Sequence, residues 1–185
     1  MDYVDLLESA VLEMSGLSRI QRYIATNTCG IMTAFRGNLT KSENLRRNAE
    51  LKSQLRNLGY SVTPVKGAYI EDFAGIDPQE VSEDSLFVAN QTIRGDDAGQ
   101  LLSDLTRVAQ RFDQDSILYI PHGGAGTLVG TSERSSAYPG MGVEVEQGEF
   151  LGLSQAALSR HPFLSRVRNR PFGFTDDRSP SGRED

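Results

Sequence analysis

Arg36 closes the apolar run CGIMTAF, and Asn44, Arg47 and Asn48 follow it within the next twelve residues. A guanidinium fork and amide donors match the oxygens of a phosphate or carboxylate, so Arg36, Asn44, Arg47 and Asn48 form a candidate anion-holding set. The segment opens a helix directly after a strand, which is where layered α/β sheets usually place ligands. Further along stand Glu71 in GAYIED, Glu83 beside Asp84 in SEDS, and Asp113 and Asp115 in FDQDS. Two carboxylates near an arginine can do acid–base work or bind Mg2+, and Glu71 or Glu83 is the candidate base. The competing reading of the same residues is that they are caps, turns and surface charges.

A second group lies in HPFLSRVRNRPFGF, where Arg166, Arg168 and Arg170 alternate among Phe163 and Phe172. Alternation puts three arginines on one side of an extended strand. Arginine neutralises phosphate and phenylalanine stacks on bases, so nucleic acid is one partner this 160–170 segment could take. An acidic pI of about 5.0 and the lack of a nucleic-acid-binding motif favour a protein partner or neighbouring subunits instead. The most eye-catching stretch is PHGGAGTLVGTS, residues 121–132. A phosphate loop needs a strand before it and a helix N-terminus after it. Here a strand is expected on both sides, so the glycines read as a hairpin turn.

Composition narrows the classes. The chain has 185 residues, a net charge of −6 and 38% hydrophobic residues, which describe a globular domain. No apolar run approaches the roughly 20 residues that span a bilayer, and acids occupy the N-terminus where a signal peptide would carry Lys or Arg. The expected location is the cytoplasm or a particle assembled there. Cys29 is the single cysteine, and His122 and His161 are the two histidines. That excludes an internal disulfide and a Cys-cluster zinc site, and no metal or cofactor is expected. Cys29 sits before an apolar run and reads as a buried, inert thiol.

The charge is segregated. Residues 31–70 carry seven Lys or Arg against Glu43 and Glu50. Residues 71–104 carry nine acids against Arg94, and residues 150–175 carry four arginines and no acid. Such blocks mark faces for charged partners, or interleave on folding as internal ion pairs.

These residues must be positioned by a definite set of elements. Tyr3, Leu7, Val11 and Met14 recur at helical spacing. CGIMTAF reads as a strand, and Thr40 with Glu43 forms a capping box that starts the next helix. Leu45, Ala49, Leu51, Leu55 and Leu58 supply that helix's stripe, and Gly59 ends it. YSVTPVKGAYIEDF is extended, with Pro64 marking an edge or bulge, DPQEVSED is a polar connection, and SLFVAN is a strand. Asp96 or Asp97 caps the clearest helix, whose stripe includes Leu101, Leu105, Val108 and Phe112. DQDSILYIP and VEVEQGEF are further strands, LSQAALSRH a helical turn, and TDDRSPSGRED has a disordered composition. The order predicts an α+β (mixed α/β) layer fold, a central sheet with helices packed against it. Its parts are an N-terminal helical segment (1–24), a core domain (25–150) and an irregular C-terminal arm with a polar tail (151–185).

The ordered pieces T-A-x-R, S-E-N-x-x-R-N, G-x-Y-x-E, E-D-S-x-x-V, F-D-Q-D-S-I-L and R-P-F-x-F resemble an uncharacterised group of small phage and bacterial proteins, over about residues 30–174. The resemblance carries no activity. It implies a phage or mobile-element origin and an accessory or minor virion protein that acts by binding within a larger assembly, not by catalysis. The alternative is an enzyme or sensor for a small anionic ligand such as a nucleotide, using Arg36 and Arg47 with Glu71 or Glu83.

Overall fold

A computed structural model describes residues 16, 18–71, 79–148, 150–152, 163–167 and 170–174; for 67–71, 79–83 and everything from 150 onward it describes the backbone alone. Residues 18–26 are helical (α1). They lead into β1 (Asn27–Met32), α2 (Lys41–Asn57), β2 (Ser61–Glu71), β3 (Gln79–Arg94), α3 (Gln100–Arg111), β4 (Ser116–Ile120) and β5 (Gly126–Gly130). The order closes with β6 (Glu144–Gly148), β7 (Phe150–Gly152), β8 (Phe163–Val167) and β9 (Arg170–Phe174). The strands form one sheet in the order β6-β5-β4-β1-β3-β2-β8-β9-β7, and each of these pairings is antiparallel. This is the expected α+β layer.

Strand alternation divides the apolar residues between two faces. On one face Val62, Leu86, Val88, Ile117 and Val129 meet Leu51 and Leu55 of α2 and Leu101, Leu105, Val108 and Ala109 of α3. On the other, Ile20 of α1 packs with Cys29, Ile31, Val65, Phe87, Ala89 and Ile120. α3 approaches β1 closely because position 30 is glycine: a Cβ there would lie 2.5 Å from Leu105 Cδ1 and 3.0 Å from the Leu118 carbonyl oxygen. Gly130 permits a still closer approach, since its Cβ would collide with the carbonyl of Gly140.

The local signals fall where expected at α2. Thr40 and Glu43 cap each other's backbone, and Gly59 leaves the helix with φ +94°. PHGGAG is the turn of the β4–β5 hairpin. Pro64 faces Leu86 of β3, while β8 begins pairing with β2 only at Lys66, so the proline sits where β2 is locally an edge.

Three expectations change. DPQEVSED is not all connection, because β3 begins at Gln79 and pairs with β2 through Glu71. The C-terminal segment is not all irregular, since β7, β8 and β9 belong to the central sheet. Residues 163–174 form a β8–β9 hairpin rather than one strand. The N-terminal stretch 1–15, the LSQAALSRH turn and the tail from 175 lie outside the described residues.

Leu105 is fully buried between α3 and the sheet. Leu105→Ala should therefore cost about 2–5 kcal/mol, read as a lowered midpoint in urea unfolding. A midpoint equal to that of the parent chain would mean that α3 is not the wall of this core.

Candidate functional site

The C-terminal end of α3 gathers most of the polar residues singled out by their sequence. A helix leaves its last carbonyls without intrahelical partners. Here Arg47 donates to the Phe112 carbonyl and Arg36 to the Asp113 carbonyl. Arg134 adds a bond to the Asp113 carbonyl at 3.1 Å and pairs with the Asp115 carboxylate. Gln114 donates from Nε2 to the carbonyls of Phe35 and Phe112, both at 3.2 Å. Asp113 holds φ 54°, the left-handed conformation in which Asp is among the better tolerated non-glycine residues.

The same side chains fix the loop after β1. Asn44 accepts from the Arg36 N–H at 2.8 Å and donates to the Arg36 carbonyl at 2.9 Å. Asn48 accepts from the Ala34 N–H at 3.1 Å and donates to the Asp84 carbonyl at 3.3 Å. Arg47 Nε donates to the Ala34 carbonyl at 2.9 Å, and its guanidinium lies 5.5 Å from the centre of the Phe112 ring. Arg36, Asn44, Arg47 and Asn48 are thus brought together as expected. Their bonds run to main-chain groups of the protein, joining β1, α2 and α3.

Glu71 and Glu83 stand elsewhere. β2 and β3 keep an unbroken register from Ser61–Ala89 to Glu71–Gln79. Val62, Leu86 and Val88 lie on the α2–α3 face and Val65, Phe87 and Ala89 on the other. By that alternation Glu71 and Glu83 occupy α1-face positions, across the sheet from Arg47. Arg166 pairs with Lys66 and Pro171, and Arg170 pairs with Val167. The hairpin therefore sets Arg166 and Arg170 on opposite faces, and Phe163 and Phe172 on separate strands. Arg168 lies outside the described residues.

Asp97 is one of the two acids expected to cap α3, and Tyr60 makes a polar contact that the sequence did not suggest. Buried Asp97 accepts from Asn90 Nδ2 and the Leu101 N–H, both at 2.9 Å, and from the Gly99 N–H at 3.1 Å. It is the capping acid of α3, fully used by its neighbours. Tyr60 donates to Asp104 at 2.5 Å, and burial followed by that carboxylate pushes its phenol pKa up.

The third feature is a cleft of about 420 Å³ between α2 and the β2–β3 ribbon. Leu45, Lys52, Pro64, Lys66, Asp84 and Leu86 line it. Lys66 and Asp84 form an ion pair there, joining the basic and acidic blocks of the sequence. Among the described residues neither Arg36 nor Arg47 is paired with an acid.

Arg47→Ala would remove the side-chain donor to the Ala34 carbonyl and one of the two donors to the Phe112 carbonyl, leaving Gln114 on the latter, at a cost of about 1–3 kcal/mol. Lysine should restore only part of this, since a compact ammonium cannot reproduce the fork. Urea unfolding of both variants checks the expectation, and an unchanged alanine midpoint would show that the loop is held without Arg47. Cys29 is wholly buried, and burial pushes its thiol pKa far up. A thiol reagent should modify it only in denaturant, and rapid labelling of the native chain would contradict that burial.

No curated protein matches the chain. Residues 30–160, more than half of its length, match the model of the S-adenosylmethionine lyase family. The match falls inside the span of the resemblance and supports recognition at the level of a family alone; the phage or mobile-element origin is no part of it. It also overturns the expectation of an accessory or virion component acting by binding alone, because the matched family is one of enzymes. The chain belongs to the S-adenosylmethionine lyase family.

Proposed function

We propose that this protein is an enzyme that cleaves a carbon–sulfur bond of S-adenosylmethionine. The family match over residues 30–160 carries the reading, and the charge of the molecule supports it. S-Adenosylmethionine has a sulfonium, an ammonium and one carboxylate, so it is a net cation at neutral pH. An acidic chain of net charge −6 suits such a substrate electrostatically.

The chemistry asks little of a cofactor. When the bond breaks, its electron pair goes to sulfur and leaves a neutral thioether. The carbon left behind is satisfied by loss of a neighbouring proton or by attack of the substrate's own carboxylate oxygen, in either case without water. Because the positive charge on sulfur disappears, a partly desolvated site favours the reaction. The protein must hold the cation, fold the substrate and exclude water.

This reading revises the small-ligand alternative. An arginine fork suits the substrate's carboxylate but repels its cationic groups. Arg36 and Arg47 are also engaged with main-chain carbonyls, and register sets Glu71 and Glu83 across the sheet from Arg47. These four are not carried forward as one catalytic set.

Purified protein incubated with S-adenosylmethionine should consume it and release a nucleoside thioether, resolved by liquid chromatography and mass spectrometry. S-Adenosylhomocysteine should survive, because its cleavage would have to expel a thiolate. An unchanged S-adenosylmethionine pool would reject the proposal.

A further inference from the structure

We infer that the cleft between α2 and the β2–β3 ribbon is a docking groove for residues 2–14 of a second copy of this chain, a segment whose acids and apolar stripe match the groove's lysines and apolar walls. The inference does not depend on the proposed activity.

The described residues leave two groups of apolar side chains facing solvent. Tyr138, Met141 and Val143 form one, and they run into the exposed Glu144 and Glu146 of the edge strand β6. Leu45 marks the other: it is 45% exposed at the rim of the cleft, whose walls include Ala49, Pro64 and Leu86. Here the charge has the opposite sign. Lys52 and Lys66 line the cleft against Asp84 alone. Steps of three and four residues also set Lys41, Leu45, Ala49, Lys52 and Arg56 in one row along α2.

The chain itself contains a segment that complements this row. Residues 1–15 carry Asp2, Asp5, Glu8 and Glu13 and no Lys or Arg, with Tyr3, Leu7, Val11 and Met14 at helical spacing. As a helix, 2–14 would be about 20 Å long, close to the roughly 25 Å of α2. The Glu144–Glu146 patch repels such a segment, whereas the lysines beside the cleft attract it.

Position decides which copy supplies it. α1 follows the segment and packs through Ile20 on the face of the sheet opposite α2 and α3. The segment therefore enters its own fold on the side away from the cleft, and the groove takes it from a second copy. Lys66 is free to exchange onto an incoming carboxylate, because its pair with Asp84 is 66% and 30% exposed and screened by solvent.

The test is sedimentation of the full chain over a range of concentrations. The parent chain should associate beyond the 20.3 kDa of one copy. Joint Lys52→Glu and Lys66→Glu substitution should raise the dissociation constant about tenfold or more, and so should Leu45→Asp in the groove and Val11→Asp in the segment. Arg94→Glu, the same reversal at the other end of β3, should leave it within about twofold. Circular dichroism melting separates lost association from lost folding. The deciding step is a mixture of two chains, one with Lys52→Glu and Lys66→Glu, the other with Asp5→Lys and Glu8→Lys. Each alone sets like charges together, and mixing them should restore association about tenfold or more over either alone. A parent chain that sediments as one copy at every concentration, or a mixture no tighter than its components, would overturn the inference.

Discussion

The end of α3 is the constraint on which the described core depends. α3 lies across β1 at a distance that only Gly30 allows, so its last carbonyls finish beside the loop after β1. Main-chain N–H groups of Phe112, Asp113 and Gln114 take the carbonyls of Val108, Ala109 and Gln110, while those of the capping Phe112 and of Asp113 just beyond it need other donors, and leaving them dry would cost more than a hydrogen bond returns. Arg36, Arg47, Arg134 and Gln114 supply donors from three separate parts of the chain. One unsatisfied helix terminus thereby fixes the exit of β1, the docking of α2 and the start of β4. Cationic groups at this terminus also oppose the negative end of the helix dipole.

The sheet has an asymmetric cover. α2 and α3 pack on one face, and α1 packs on the other over β1, β3 and β4. The long β2 and β3 continue to Glu71 and Gln79, and the C-terminal strands extend the sheet beyond β2. Between α2 and this ribbon lies the cleft that holds Lys66 and Asp84.

A sulfonium substrate loses its charge on the way to a neutral thioether, so a site needs a carboxylate to attract it and apolar surface to favour the product. The arginine cluster at the end of α3 has the wrong charge and is engaged with carbonyls. The cleft on the same face of the sheet sets Lys52 and Lys66 against Asp84, with Lys66 already paired to it, so it does not supply that combination either.

Short-range signals were legible from the sequence because their physics is local. The Thr40–Glu43 capping box, Gly59 at the end of α2, the Asp97 cap, the stripe of α3 and the PHGGAG hairpin all rest on interactions within a few residues. The gathering of Arg36, Asn44, Arg47 and Asn48 was legible too, since a strand end and the following helix must lie close. Their bonding partners were not, because the carbonyls of Phe112 and Asp113 arrive from more than sixty residues away. Nor could periodicity show that α2 would bury Asn44 and Asn48 and expose Leu45; amides are buried only where a distant backbone group is placed to bond them. Sequence determined the caps, the hairpin turn and the α+β layer order. Which polar residues stay inside the protein, and which are left facing a cleft, was decided by tertiary packing, because hydrogen-bond satisfaction and charge neutralisation are properties of neighbours in space.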